Sequence, residues 1–256
     1  MRHLLVINPN TSDSVSALLQ HHAQEAAGSA VRVRTRTARF GAPYISCEAS
    51  YTVAGHATLD TWAAALAEDA SGPSPDAVLI GCFGDPGLLA LRDSSPVPVT
   101  GLAEASFIAA SQHGRYAIVT GGERWGPMLQ RLALILGQAP MLAGIHTVKP
   151  TGAQLAADPN AARALLAQAC RDTARVFGVR SVILGGAGLA GMAAAIQHEV
   201  EVPVIDSVVA GTHWALRADA PGVERSTPGF DVAWDRLSPG MTALGAGGWA
   251  NGVRSS

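Results

Sequence analysis

Apolar residues along the chain gather in short runs, separated by longer stretches in which they recur every three or four positions. Leu4-Leu5-Val6-Ile7-Asn8 is the first such run, and a run of this length bounded by Pro9 predicts a buried strand. Val15, Leu18, Leu19, His22, Ala23 and Ala26 then share one helical face, with Thr11 or Ser12 as cap and Asp13 in the first turn. The alternation continues with a strand near 31–35, a loop over 40–50, a helix near 53–68 and a strand running into Cys82. A helix at 103–113, a strand at 116–120 and a helix at 125–136 follow. Asp158-Pro159 opens another helix that closes before Gly178, and then come a strand running into Gly186, a helix over 189–198, a strand at 202–205 and a helix over 208–216. Strands alternating with helices over short connections predict an α/β fold built on parallel sheets.

Two strands end alike. Asp76-Ala77-Val78-Leu79-Ile80-Gly81-Cys82-Phe83-Gly84-Asp85-Pro86-Gly87 and Ser181-Val182-Ile183-Leu184-Gly185-Gly186-Ala187-Gly188-Leu189-Ala190-Gly191 are both apolar strands that break into glycine turns before a helix start. In the first, Asp85 reads as an N-cap with Pro86 at the first helical position. The repeat implies two similar parallel-sheet α/β halves around an interdomain cleft, 1–98 plus 206–218 carrying Cys82 and 99–205 carrying Gly186. Residues 219–256, rich in Gly, Pro and Ser and without periodicity, read as a C-terminal extension.

Composition narrows the classes. The 256 residues are 48% hydrophobic and 15% charged with a formal net charge of −2, a globular balance large enough for a full core. Arg32, Arg34 and Arg36 alternate along a strand, which makes them one solvated face, so no nucleic-acid partner is expected. The N-terminal apolar run is too short for a signal peptide or a membrane span. Three cysteines without CxxC spacing argue against a disulfide framework and against a metal site, and for a reducing, cytoplasmic setting. His21 and His22, adjacent on a helix, do not share a face. A small-molecule substrate and a homo-oligomer are the partners expected.

Cys82 carries the strongest chemical signal. A thiol at the carboxyl end of a strand lies where open α/β sheets bind ligands, and a nearby helix N-terminus favours the reactive thiolate; Cys82 is therefore expected to be the first thiol alkylated. Cys170 is spaced with Leu166, Thr173 and Phe177 and reads as core. Asn10, after the first strand and before a helix, and Thr120, ending its strand before Gly121-Gly122, are candidates to hold a substrate oxygen. Cys47 on its loop, Asp85, Glu104, Asp206 and His213 are further candidates.

Ile7-Asn8-Pro9-Asn10-Thr11-Ser12, Gly81-Cys82-Phe83-Gly84-Asp85-Pro86-Gly87, Gly101-Leu102-Ala103-Glu104-Ala105 and Pro203-Val204-Ile205-Asp206 resemble the motifs of the aspartate/glutamate/hydantoin racemase superfamily, in its hydantoin and allantoin racemase branch. The resemblance implies a cofactor-independent isomerase that works at a carbon α to a carbonyl. Two cysteines, one per half, flank the stereocentre, and turn residues such as Phe83, Gly84, Gly186, Ala187 and Gly188 hold the substrate. Cys82 matches the first cysteine. Gly186 stands where the second is expected, which leaves open a single-cysteine decarboxylase of the arylmalonate decarboxylase type or a cysteine-nucleophile cis–trans isomerase. Independently of the resemblance, residues 186–191 match G-x-G-x-x-G and Asp206 follows at the next strand end, a dinucleotide-binding pattern that would make the chain an NAD-binding protein.

Overall fold

The computed structural model describes residues 1–68, 74–151, 154–155, 158–217 and 234–245. Its first half contains β1 (Arg2–Asn8), α1 (Asp13–Ala27), β2 (Val31–Thr37), α2 (Glu48–Glu68), β3 (Ala77–Ile80), α3 (Leu88–Ser94) and β4 (Val99–Gly101). The second contains α4 (Leu102–Ser111), β5 (Tyr116–Gly121), α5 (Trp125–Ile135), β6 (Leu142–Val148), α6 (Pro159–Phe177), β7 (Ser181–Gly185), a 3-10 turn (Ala187–Leu189), α7 (Met192–Ile196), a second 3-10 turn (Gln197–Glu199), β8 (Val204–Asp206) and α8 (Ser207–Ala215). A last helix, α9, spans Pro239–Gly245.

The strands form two parallel sheets of four, ordered β2-β1-β3-β4 and β6-β5-β7-β8. The two orders are the same once β5 is matched to β1, so the repeat legible at the two glycine turns extends through the whole architecture. The central strands β1, β3, β5 and β7, covered on both faces, are apolar nearly throughout, whereas the edge strand β2 alternates. Leu4, Val6 and Leu79 face a core shared with Phe107, Tyr116 and Ile183 of the second half. Leu5, Ile7, Val78 and Ile80 face the opposite way, onto Trp62 and Leu91. Val182 and Leu184 do the same in the second sheet, packing with Leu166 and Cys170, so Cys170 is a core residue as its spacing implied.

Helices of the second half also reach the first. The α4 helix packs on β7 and on α8, and α8 reaches back to α1, β3 and β4. The sheet boundary differs from the sequence reading: Val99–Gly101 pairs with β3 in the first sheet, and Asp206 ends β8 in the second. A three-residue strand between Pro98 and a helix start has too few positions to show a period. Similarly β6, with only its ends buried, carried no apolar run, and the helix read over 189–198 is broken into two 3-10 turns and α7 by the αL glycine Gly191. The α2 helix starts at Glu48, inside the stretch read as loop. Within the extension read over 219–256, α9 buries Met241 and Leu244 beside Trp62, and Ser238 donates to Asp60 at 2.7 Å; 219–233 and 246–256 lie outside the described residues.

Glycines let the halves approach. A Cβ built on Gly185 would lie 2.2–2.5 Å from ring atoms of Phe83, and one on Gly84 2.4 Å from the Trp125 indole. Gly185→Ala should overpack this seam by about 1–3 kcal/mol, lowering Tm by roughly 3–10 °C at this chain length. Gly126→Ala, whose new methyl meets nothing nearer than 4.0 Å, should leave Tm level or raise it. Calorimetry on the pair of variants distinguishes close packing from a general intolerance of alanine.

Candidate active site at the seam of the two sheets

Cys82 lies two residues beyond β3. The ladder is extended by Gly81, whose N–H donates to Ile7 O at 2.7 Å, and the turn is then closed by the N–H groups of Gly84 and Asp85, which both donate to Cys82 O at 3.0 and 3.1 Å. Tyr51 of α2 donates its hydroxyl to Gly84 O at 2.7 Å. These bonds fix the turn, and the Cys82 side chain enters a cavity of about 70 Å³ between the sheets.

Asp85 does not cap the helix that follows it. The N-cap of α3 is Gly87, and the Asp85 carboxylate instead accepts from the N–H groups of Ala103 and Glu104, both at 2.8 Å, at the start of α4. Asp85 takes φ 51° to do so, and a Cβ on Gly101 would overlap its carboxylate. Burial pushes its carboxyl pKa up to about 7, with the two amides pulling the other way. The consequence reaches the thiol: burial, and then the Asp85 charge, push Cys82 well above the ordinary thiol range. This runs against the sequence expectation of a helix terminus favouring the thiolate: the open amides at the start of α4 are taken by the Asp85 carboxylate.

The opposite wall is the matching turn after β7. Gly186 has φ 146° and ψ 131°, its N–H donates to Ser207 Oγ at 3.2 Å, and its carbonyl accepts from Leu189 N–H at 2.9 Å. Thr120 donates its hydroxyl to Gly185 O at 2.7 Å. Asn10 holds the rim, its Oδ1 accepting from Ser12 N–H at 2.9 Å and from the buried Asn8 amide at 3.1 Å. Cys82, Asn10, Phe83, Thr120, Gly186, Ala187 and Gly188 all line the one cavity.

Other candidates lie elsewhere. Gly84 is behind the lining, under Trp125. Cys47 is turned into the start of α2, with its N–H donating to Ser50 Oγ at 3.1 Å and its Sγ 3.4 Å from the same oxygen. Glu104 is held by Arg92 at 2.6 Å and by the Thr100 hydroxyl at 2.9 Å. His213 is exposed on α8. Asp206 accepts from the N–H groups of Gly191, Val208 and Val209 at 2.8, 2.9 and 3.2 Å, while burial raises its carboxyl pKa. With a 3-10 turn where a dinucleotide fold needs a long helix, and an acidic residue already committed to three amides, the dinucleotide-binding reading loses its geometry.

Residues 4–215 match the Asp/Glu/Hydantoin racemase family. The chain belongs to this family. It is 31% identical over 228 residues to a hydantoin racemase of Paenarthrobacter aurescens, covering 87% of this chain and 93% of that one. With a hydantoin racemase of Pseudomonas sp. (strain NS671) it shares 30% identity over 211 residues, 82% of this chain and 83% of the relative. An allantoin racemase structure from Klebsiella pneumoniae superposes with a TM-score of 0.78 at 29% identity, covering 84% of this chain and 86% of that one. Arylmalonate decarboxylase, at 17% identity and a TM-score of 0.58, shares the fold alone. No helix among the described residues is long and apolar enough to cross a membrane.

Sequence reasoning missed Tyr44, Ile45 and Trp125 as lining residues. Tyr44 and Ile45 sit on an irregular loop between β2 and α2, where spacing carries no signal, and Trp125 reads simply as the first turn of an amphipathic helix. The pKa shifts point to a different thiol order from the one expected of the sequence. Hydrogen bonds from Ser50 pull the Cys47 thiol down at a partly exposed position, while burial raises Cys82 and lifts Cys170 to about 12. Brief iodoacetamide treatment at neutral pH should therefore label Cys47 first, then Cys82, with Cys170 last, as read by peptide mass spectrometry. In Asp85→Asn the neighbouring negative charge is gone, so Cys82 labelling should accelerate while Cys47 labelling stays constant.

Proposed function

We propose that the protein is a cofactor-independent racemase of small cyclic ureides or imides of the hydantoin and allantoin type. In this reading Cys82 exchanges the proton on the carbon α to a carbonyl. The observation that carries the proposal is the placement of Cys82 at the end of β3, in a cavity walled on the other side by the glycine turn after β7. The similarity to hydantoin and allantoin racemases over more than four-fifths of the chain supports the substrate class.

The chemistry follows from the environment. Removing a proton α to a carbonyl places negative charge on the carbonyl oxygen, and donors already aimed at that oxygen lower the barrier. Among the described residues the Ala187 and Gly188 N–H groups meet no acceptor, and neither does the Asn10 Nδ2 amide, while the Asn10 Oδ1 is occupied. These three donors hold the developing enolate in this reading. Phe83, Ile45 and Trp125 supply apolar walls that exclude water and strengthen each of those hydrogen bonds. A thiol held high is a strong base once ionised.

The single most direct test is proton NMR in deuterium oxide with each enantiomer of allantoin and of 5-substituted hydantoins, alongside chiral chromatography. Loss of the α-proton signal with inversion supports the reading. Cys82→Ser should lower both by about a hundredfold or more, the usual worth of a general base, and Cys170→Ser should leave both intact. Full activity in Cys82→Ser overturns the role of Cys82. Because the abstracting form is the thiolate and burial raises its pKa, kcat/KM should climb with pH from neutral into the alkaline range. Asp85→Asn should move that rise to lower pH; a flat profile contradicts thiolate chemistry.

A further inference from the structure

A second proton-carrying group is required for inversion, and Gly186 does not supply it. At φ 146° position 186 is a backbone conformation that L side chains rarely adopt, so this wall must take its acid from another part of the chain. Besides Cys82, the cavity-lining side chains with exchangeable protons are Asn10, Thr120, Trp125 and Tyr44. The Asn10 amide and Trp125 indole N–H are far too weakly acidic for this work, and the Thr120 hydroxyl is an alcohol already donated to Gly185 O. A phenol alone among them titrates near the thiol range.

The position of Tyr44 fits the requirement. It stands on the loop between β2 and α2 in the first half, yet its hydroxyl reaches the second, donating to Gly121 O at 3.3 Å and resting where a Cβ on Gly122 would be. Gly121 ends β5, the strand beside β7, so the hydroxyl lies on the wall that carries Gly186, across from Cys82. A bond of 3.3 Å to a neutral carbonyl is long and readily exchanged for a substrate. Burial keeps the phenol protonated, the Trp125 side chain opposes that, and the Cys82 charge adds to it, so the two groups sense one another.

We propose that Tyr44 is the second acid–base group of this site, standing in for a side chain at position 186 and working on the substrate face opposite Cys82. The proposal rests on the racemase reading above. In one direction the Cys82 thiolate takes the α-proton, the C–H electron pair passes into the enolate, and Tyr44 O–H protonates the other face, leaving phenolate and thiol. Exchange with solvent returns Tyr44 to phenol and Cys82 to thiolate. The reverse direction begins from phenolate and thiol.

Tyr44→Phe tests this in deuterium oxide, with each enantiomer followed separately by NMR and chiral chromatography. The enantiomer whose α-proton faces Cys82 should still exchange, with retention, while exchange of the other enantiomer and inversion of both should fall by about a hundredfold. A folding defect lowers both enantiomers alike, so their ratio within the variant separates chemistry from stability. Equal losses, or inversion at the unmodified rate, overturn the role of Tyr44 and leave the racemase reading standing. An unmodified protein that neither exchanges nor inverts any substrate overturns that reading, and this inference falls with it.

Discussion

The site depends on the close approach of two strand-end turns. Phe83, next to Cys82, lies against Gly185 of the other sheet, and Trp125 of the second half lies against Gly84 of the first. Each contact puts an aromatic ring where a methyl group would otherwise be, so the seam exists only because these positions have no side chain. Burying aromatic rings at the seam and sharing one core across it give the halves far more than the exposed Arg131–Glu48 pair that also bridges them, which solvent screens. The cavity is what remains between the two turns once the rings have filled the rest.

The packing of α4 and α8 across the seam extends the same constraint to the electrostatics. The first turn of α4 is delivered beneath the Cys82 turn, and its open N–H groups are met there by Asp85. Charge-assisted bonds of this kind hold a turn tightly, but the carboxylate that satisfies the helix also sits beside the thiol. Structural and chemical roles are thereby joined: the residue that fixes where Cys82 lies also opposes its ionisation. Cys47 shows the contrast, a thiol at a helix start bonded to the Ser50 hydroxyl and backbone, and its acidity moves the other way.

Much of this was legible in the sequence, for identifiable reasons. Strands buried on both faces are apolar throughout, so β1, β3, β5 and β7 stand out, and the caps Ser12 and Asp158 mark their helices as expected. What escaped were elements set by tertiary contact: β4, three residues long; β6, mostly half-exposed; and α9, which forms where Met241 and Leu244 meet the outer core. At the site, Cys82 and the glycine turns carried local signals, and Asn10 and Thr120 followed from their places at strand ends. The partner of Asp85 did not, because the amides it accepts from lie eighteen and nineteen residues away, and neither did Tyr44, whose hydroxyl meets a carbonyl 77 residues along the chain.

The two sheets share one strand order, yet their central turns are not the same turn with one side chain exchanged. After β3, Cys82 keeps a backbone that a side chain tolerates, and its carbonyl gathers the next amides into a tight turn. After β7, Gly186 takes a positive φ, and a 3-10 turn begins immediately behind it. Placing any other residue there costs on the order of 1–3 kcal/mol in backbone strain unless the turn reorganises, so a cysteine at 186 would not simply recreate the first wall. The difference between the halves is therefore held in the main chain as well as in the residue. A fold with two equivalent strand ends thus presents one wall whose thiol comes from the strand end itself and one wall whose strand end offers only backbone, open to whatever side chain the neighbouring loop can bring across.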